Sequence, residues 1–391
     1  MEERREDKRP RHEGGGGGRR GARGGGGWRG GGRRGARGAG RHAHTPNTRP
    51  WGRKWTLYAP PGSANGGVPM APVTFRVLSF NVLADYITMK DAAEKAAELW
   101  KLEWSYRRMR LDFFEPELRK AGYNGIFKKR TGEETHDGCA TFVLSSCMTI
   151  VAFHALEFFT PGHAVLDRHN VAQQAIVEWT SSDAVDAVPK RFVVANTHLL
   201  FNPGRGDVKL AQLQSLFESL TVLRANANDD TLLPVVLCGD FNLAPHGALY
   251  EFISRGSLDV SGLSKHLLSG QSMDDHQKRI MFTNEQDYGR HHGHGTTMGR
   301  FTDRYAVRRY FHHFPHDTIA SHTDCTGEPK FTTFHDGSKG TVDYIWFTTD
   351  TAHCHGVVEM VPAGQLFHAR SLPTEHHASD HLPLIADFSL P

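Results

Sequence analysis

The stretch "LPVVLCGDFNLAPHGALYEFI", residues 233–253, sets the reading of the whole chain. A run of apolar residues (Val235, Val236, Leu237) stops at Cys238 and Gly239, and two polar side chains follow one residue apart, Asp240 and Asn242. Alternate side chains of an extended strand project to one side, so a strand continued through this stretch presents a carboxylate and a carboxamide together at its end. Other segments repeat the pattern. "FRVLSFNVLAD" (75–85) reads as a buried strand ending in Asn81, and "RFVVANTHLL" (191–200) as one ending in Asn196 and His198. "KGTVDYIWFTT" (339–349) carries Asp343, and "SDHLPLIADFSL" (379–390) opens on Asp380 and His381. Between them, "DAAEKAAELWKLEWSYRRMRL" and "VKLAQLQSLFESLTVLRANA" space apolar residues near 3.6 and predict helices. Strands mixed with helices, with polar residues at strand ends, describe an α/β sandwich whose site lies along one edge of its sheets.

The 391 residues are enough for a sizeable core, and their charge is unevenly placed. Residues 1–54 hold 16 Lys/Arg against 5 Asp/Glu, leaving 30 against 38 for the rest, so a basic leader precedes an acidic body. That leader, "GGGGGRRGARGGGGWRGGGRRGARGAGR" at its centre, has almost no apolar side chains to offset backbone entropy and is expected to be a disordered Arg/Gly-rich arm. Its arginines suit phosphate, and Trp28 suits a base, which points to RNA contact. Residues 55–391 are expected to form one catalytic domain with a His-rich insertion loop at 272–325, whose histidine spacing fits no defined metal site. The five cysteines form no short-spaced zinc pattern and read as reduced thiols. No run of eighteen apolar residues and no apolar leader segment occurs, so neither a membrane nor secretion is expected. The cytoplasm is the expected compartment, with the nucleus as second choice because of the basic arm.

Each strand-end polar residue taken alone can cap a turn or bridge strands. Taken together, Asn81, His198, Asp240, Asn242, Asp343, Asp380 and His381 form an inventory without a nucleophile elbow, since GxSxG is absent. Oxygen ligands for a hard cation and histidines for a phosphoryl group suit metal-assisted phosphoester chemistry.

"LSFNVLAD", "FKKRTG…HDGCATF", "NTHLLFNPGRGDVKLAQ", "CGDFNLAPHGALYEFI", "TVDYIWFT" and "SDHLPL" stand in an order that resembles the endonuclease/exonuclease/phosphatase superfamily, and within it the carbon catabolite repressor 4-like poly(A) deadenylases. The resemblance implies a DNase-I-like four-layer α/β-sandwich, two packed mixed β-sheets flanked by helices. It implies Mg²⁺, with Mn²⁺ as a substitute, held by Asn81 and Asp380. It implies Asp240 as the group that handles the proton of water or leaving group, Asn242 as the amide that orients nucleophile and phosphate, and His198 and His381 on the phosphate with Asp343 positioning His381. Asn196 and Pro203 fall on the substrate side, and Lys128 and Arg130 where phosphate contacts are plausible. The implied reaction is 3′-to-5′ removal of AMP from the poly(A) tail of messenger RNA, with other mRNA decay proteins as partners.

Three departures qualify this. The family places a strand ending in a Leu-Gln-Glu-Val-type motif, with a metal-binding Glu, before the segment matching "FFEPELRKAGY"; here "SYRRMRL" runs directly into it. One internal strand and one carboxylate are expected to be absent, leaving the neighbouring strands with unpaired backbone groups. Near "TVDYI", where the family carries an aromatic for adenine, Ser338 stands, with Phe334 slightly upstream. No leucine-rich repeat for recruitment to the family's large deadenylase complex is present. A catalytically impaired RNA-binding paralogue or isoform, and a phosphodiesterase or phosphatase for another substrate such as a cyclic phosphate, are the alternatives.

Overall fold

The computed structural model describes residues 53–57, 73–83, 114–135, 137–180, 190–225, 232–256, 258–260, 262–272, 311–312, 328–348, 351–374 and 376–390. Residues 1–52 of the Arg/Gly-rich arm, the first predicted helix and most of the His-rich insertion lie outside these residues.

Six strands, numbered along the chain, form the main sheet in the order β5 (Met148–Glu157), β6 (Val171–Trp179), β7 (Lys190–His198), β8 (Val235–Asp240), β12 (Asp343–Thr348) and β9 (Phe311–His312). Only β7 and β8 run parallel, and they are joined through α2 (Gly206–Ala225), a 20-residue crossover helix. The register of this parallel pair sets His198 beside Asp240, and the antiparallel register of β12 sets Asp343 opposite Asp240. Three functional side chains therefore share one end of the sheet through strand pairing alone. β8 and β12 are buried along their whole length, which is why "VVLCGD" and "DYIWFT" read as continuous apolar runs closed by one acid.

One face of this sheet packs on α2 and α3 (Ala248–Arg255), with Leu213, Leu216, Leu220, Phe252 and Trp346 in the core. The other face packs on a second layer through Phe192, Val236, Ile345, Phe347 and Phe388. That layer contains an antiparallel sheet in the order β1 (Trp55–Leu57), β13 (His353–Val358), β14 (Leu384–Leu390), β2 (Val73–Ser79). It also contains a hairpin of β3 (Tyr123–Lys129) and β4 (Gly138–Leu144), preceded by the short helix α1 (Phe114–Lys120). Val143 of the hairpin and Phe75 of β2 join the same inter-sheet core.

Several expectations change here. β2 is not a fully buried strand: among the described residues it pairs only with β14, and its side chains alternate, with Phe75 buried and Leu78 60% exposed. Of the two layers, only the six-stranded sheet is mixed. The segment 339–349 divides into β11 (Ser338–Gly340), which pairs with β10 (Thr333–His335), and β12. Asp380 and His381 precede β14 rather than open it, in a turn bridged to Thr333. A cleft of about 2180 Å³ runs between the free side of β2 and the hairpin. It is lined by the unbroken runs 75–83 and 137–143, as two facing strand edges would line it, with Phe192 and Val194 of β7 at its floor. Among the described residues no strand pairs with this side of β2, and the polar site opens at one end of the cleft.

Candidate active site

Gly239 explains the local sequence before Asp240. Its φ is +140°, and a Cβ there would sit 1.9 Å from the Thr197 carbonyl oxygen, so only glycine lets β8 pass β7 at this point. Asp240 then ends β8, 5% exposed, and its two oxygens divide their work. Oδ1 accepts the Asn242 amide at 2.9 Å; Oδ2 accepts Asn81 Nδ2 at 3.0 Å and faces His198 Nε2 at 3.4 Å and His381 Nε2 at 3.8 Å. Asn242 does not continue the strand. It adopts a left-handed conformation (φ 49°), which Asn tolerates better than most residues, and its Nδ2 donates to the Leu199 carbonyl at 3.1 Å. Asp240 and Asn242 share the site because of a turn, not because of strand alternation.

His381 Nδ1 donates to Asp343 Oδ2 at 2.7 Å, which aims Nε2 toward Asp240 and Asn81. The ring is oriented further: its amide donates to Ser379 Oγ, and its carbonyl accepts from His377 Nε2 at 2.7 Å. Burial works against a charge on His381, but the facing carboxylates of Asp343, Asp240 and Asp380 outweigh it and raise the imidazole to about 10. Burial pushes the Asp343 carboxyl up, opposed by His381. The polar atoms of Asp240, Asp343 and His381 lie within 4.8 Å of one another. His198, with its side chain 31% exposed, completes the group from the solvent side.

The residues expected to hold a cation are placed beside this group. Asp380 Oδ1 is 4.0 Å from His381 Nε2, and Oδ2 is 3.8 Å from His335 Nε2, a neighbour that the sequence reading missed. Asn81 closes a turn with its Oδ1 accepting from Leu83 N, and its backbone carbonyl accepts from Ser379 Oγ at 2.6 Å, which ties β2 to the Asp380 turn. Carboxylate and carboxamide oxygens of this kind fit a hard divalent cation in chemical type, with Asp380 the side chain best placed to hold it.

Of the four residues expected on the substrate side, Arg130 and Asn196 line the cleft and Lys128 and Pro203 do not. Arg130 reaches the cleft wall but pairs with Asp137 at 3.3 Å. Lys128 is ion-paired with Glu157, away from the cleft lining. Asn196 Nδ2 donates to the Ala140 carbonyl, so it pins the β3–β4 hairpin to β7. The Pro203 carbonyl accepts from Ser269 Oγ, and Pro203 lies outside the cleft lining. Phe334, considered for base stacking, is fully buried against Phe331 and Phe367. The sequence reading also missed Lys209, although a signal was available. It shares a helical face with Leu213, Leu216 and Leu220, all buried, so a cation opens an apolar stripe.

The chain matches no protein-family model. Among solved structures it is similar to ANGEL2, described as a 2′,3′-cyclic phosphatase and crystallised with adenosine-2′,3′-vanadate: TM-score 0.66, 27% identity, covering 87% of this chain and 99% of that one. The human Nocturnin catalytic domain shares the fold, with TM-score 0.52 and 19% identity over 87% of this chain and 98% of that one. Sandwich and strand-end cluster together define a DNase-I-like protein of the endonuclease/exonuclease/phosphatase superfamily, a class of hydrolases. Among curated sequences, human protein angel homolog 2 is 29% identical, covering 81% of this chain and 69% of that protein. Carbon catabolite repressor protein 4 homolog 3 of Arabidopsis thaliana is 29% identical over 82% and 76%. Within the superfamily, the chain is a homologue of the Angel and carbon catabolite repressor 4-like proteins.

Proposed function

We propose that this chain hydrolyses the phosphoester of an RNA end, with a terminal 2′,3′-cyclic phosphate as its substrate group. The observation that carries this is the convergence of Asp240, His381–Asp343 and His198 on one opening, an arrangement that handles a proton and receives phosphoryl charge without a covalent nucleophile. Water attacks phosphorus, an O–P bond forms, and one ring P–O bond breaks. Asp240 Oδ2 takes the proton of the water, and that proton passes to the departing ribose oxygen. Protonated His381, held by Asp343, and His198 stabilise the charge that develops on the phosphoryl oxygens. Asp380 and Asn81 would hold Mg²⁺, which supplies further neutralisation of that charge.

The likeness to ANGEL2 supports a cyclic phosphate. A 3′-exonuclease acting on poly(A) is the second reading, supported by homology to carbon catabolite repressor 4-like proteins. The test uses purified protein with Mg²⁺ on two 5′-labelled RNAs, one ending in a 2′,3′-cyclic phosphate and one in oligo(A) with a free 3′-hydroxyl. Ring opening that chelation of Mg²⁺ abolishes is expected. Stepwise shortening of oligo(A) alone would establish the second reading in its place. Retention of RNA without conversion of either substrate would identify a binding protein and sink both.

A further inference from the structure

We propose that Lys209 is a positioning residue for this site, acting through the backbone of Asn242. The inference rests on reading the Asp240–Asn242 turn as part of the hydrolytic centre. Lys209 lies in the first turn of α2 and is fully buried. Its Nζ donates to the Asn242 carbonyl and to Gln271 Oε1, both at 2.6 Å. Burying an ammonium among leucines is costly unless its donors are satisfied, so these acceptors define where the turn must lie.

Asn242 needs such a hold. Its φ of 49° is a left-handed conformation that costs a non-glycine residue energy, though less for Asn than for most. Its amide is fixed by Asp240 Oδ1, its side chain by the Leu199 carbonyl, and its own carbonyl by Lys209. The second acceptor gives Lys209 wider reach. Gln271 ends a loop in which the Ser269 carbonyl accepts Ala244 N and Ser269 Oγ donates to the Pro203 carbonyl. One ammonium thus registers three segments against each other: the start of α2, the turn after β8, and the loop 265–271. Losing it should loosen the turn that aims Asp240 while leaving distant strand pairing intact.

Hydrogen exchange read by mass spectrometry separates this from a general fold defect. In Lys209→Met, amides of 241–247 are expected to exchange at least about tenfold faster, while those of β6 keep the wild-type rate. Lys209→Gln, which retains an N–H donor group, is expected to recover part of the protection. Wherever wild type turns over an RNA end, Lys209→Met should lower kcat by about 10- to 100-fold with KM within about twofold. Unchanged exchange at 241–247, or equal acceleration across β6, overturns the proposal. An inactive wild type would count against the functional reading, and the exchange comparison would still decide the role of Lys209.

Discussion

β8 and β2 bring side chains to the same site under very different constraints. β8 pairs on both edges, with β7 and β12, and all six of its residues are buried. β2 pairs along one edge among the described residues, and Leu78 beside the site end is 60% exposed. Asp240 and Asn81 still meet at 3.0 Å. The proton-handling half is thus set in a doubly paired lattice, while the Asn81 half depends on one ladder, one turn and the Ser379 bond. The precision of a polar group at a strand end follows from how much of that strand's backbone and apolar surface is committed elsewhere.

The largest expected effect strikes the β8 side. Asp240→Asn should cut hydrolysis of the cyclic end by roughly 10³-fold, and Asn81→Ala by roughly tenfold, measured as kcat/KM on the same RNA. Equal losses would mean that the two strands contribute alike and would break the contrast. Stability should divide in the same way. Ile345→Ala in fully buried β12 should cost about 2–5 kcal/mol and Leu78→Ala in β2 less than about 0.5 kcal/mol in urea unfolding. A large cost at Leu78 would show that the outer side of β2 is covered.

A pH-dependent effect concerns the cation beneath the site. Burial lowers the Lys209 ammonium from 10.5 to about 7, with Asp240 opposing. Between those values the unfolded chain holds more protons than the folded one, so wild type gains stability as pH rises through that window. Lys209→Met lacks this gain, and its cost relative to wild type should grow by at most about 1.4 kcal/mol per pH unit. A difference that stays flat with pH would place the Lys209 ammonium in a more polar setting.

Much of the sandwich could be read from "VVLCGD", "RFVVANTH" and "VDYIWFT", because a strand buried on both faces is a continuous apolar run and its functional residue sits where that run stops. The expected absence of an internal strand near residues 111–112 falls outside the described residues, among which β2 pairs only with β14. The partners of the residues expected on the substrate side were not readable. Arg130, Lys128 and Asn196 look like free polar groups in one dimension, and only folding supplies Asp137, Glu157 and the Ala140 carbonyl as their partners.

Residue types at strand ends thus suffice for the chemistry: carboxylates, a carboxamide and histidines without a nucleophile. Which atoms face one another is a matter of packing, since Asn81 meets Asp240 across 159 positions and His381 meets Asp343 across 38. Local patterns carry period and polarity. The left-handed turn of Asn242 and the ammonium that holds it arise from contacts between segments that no local pattern encodes.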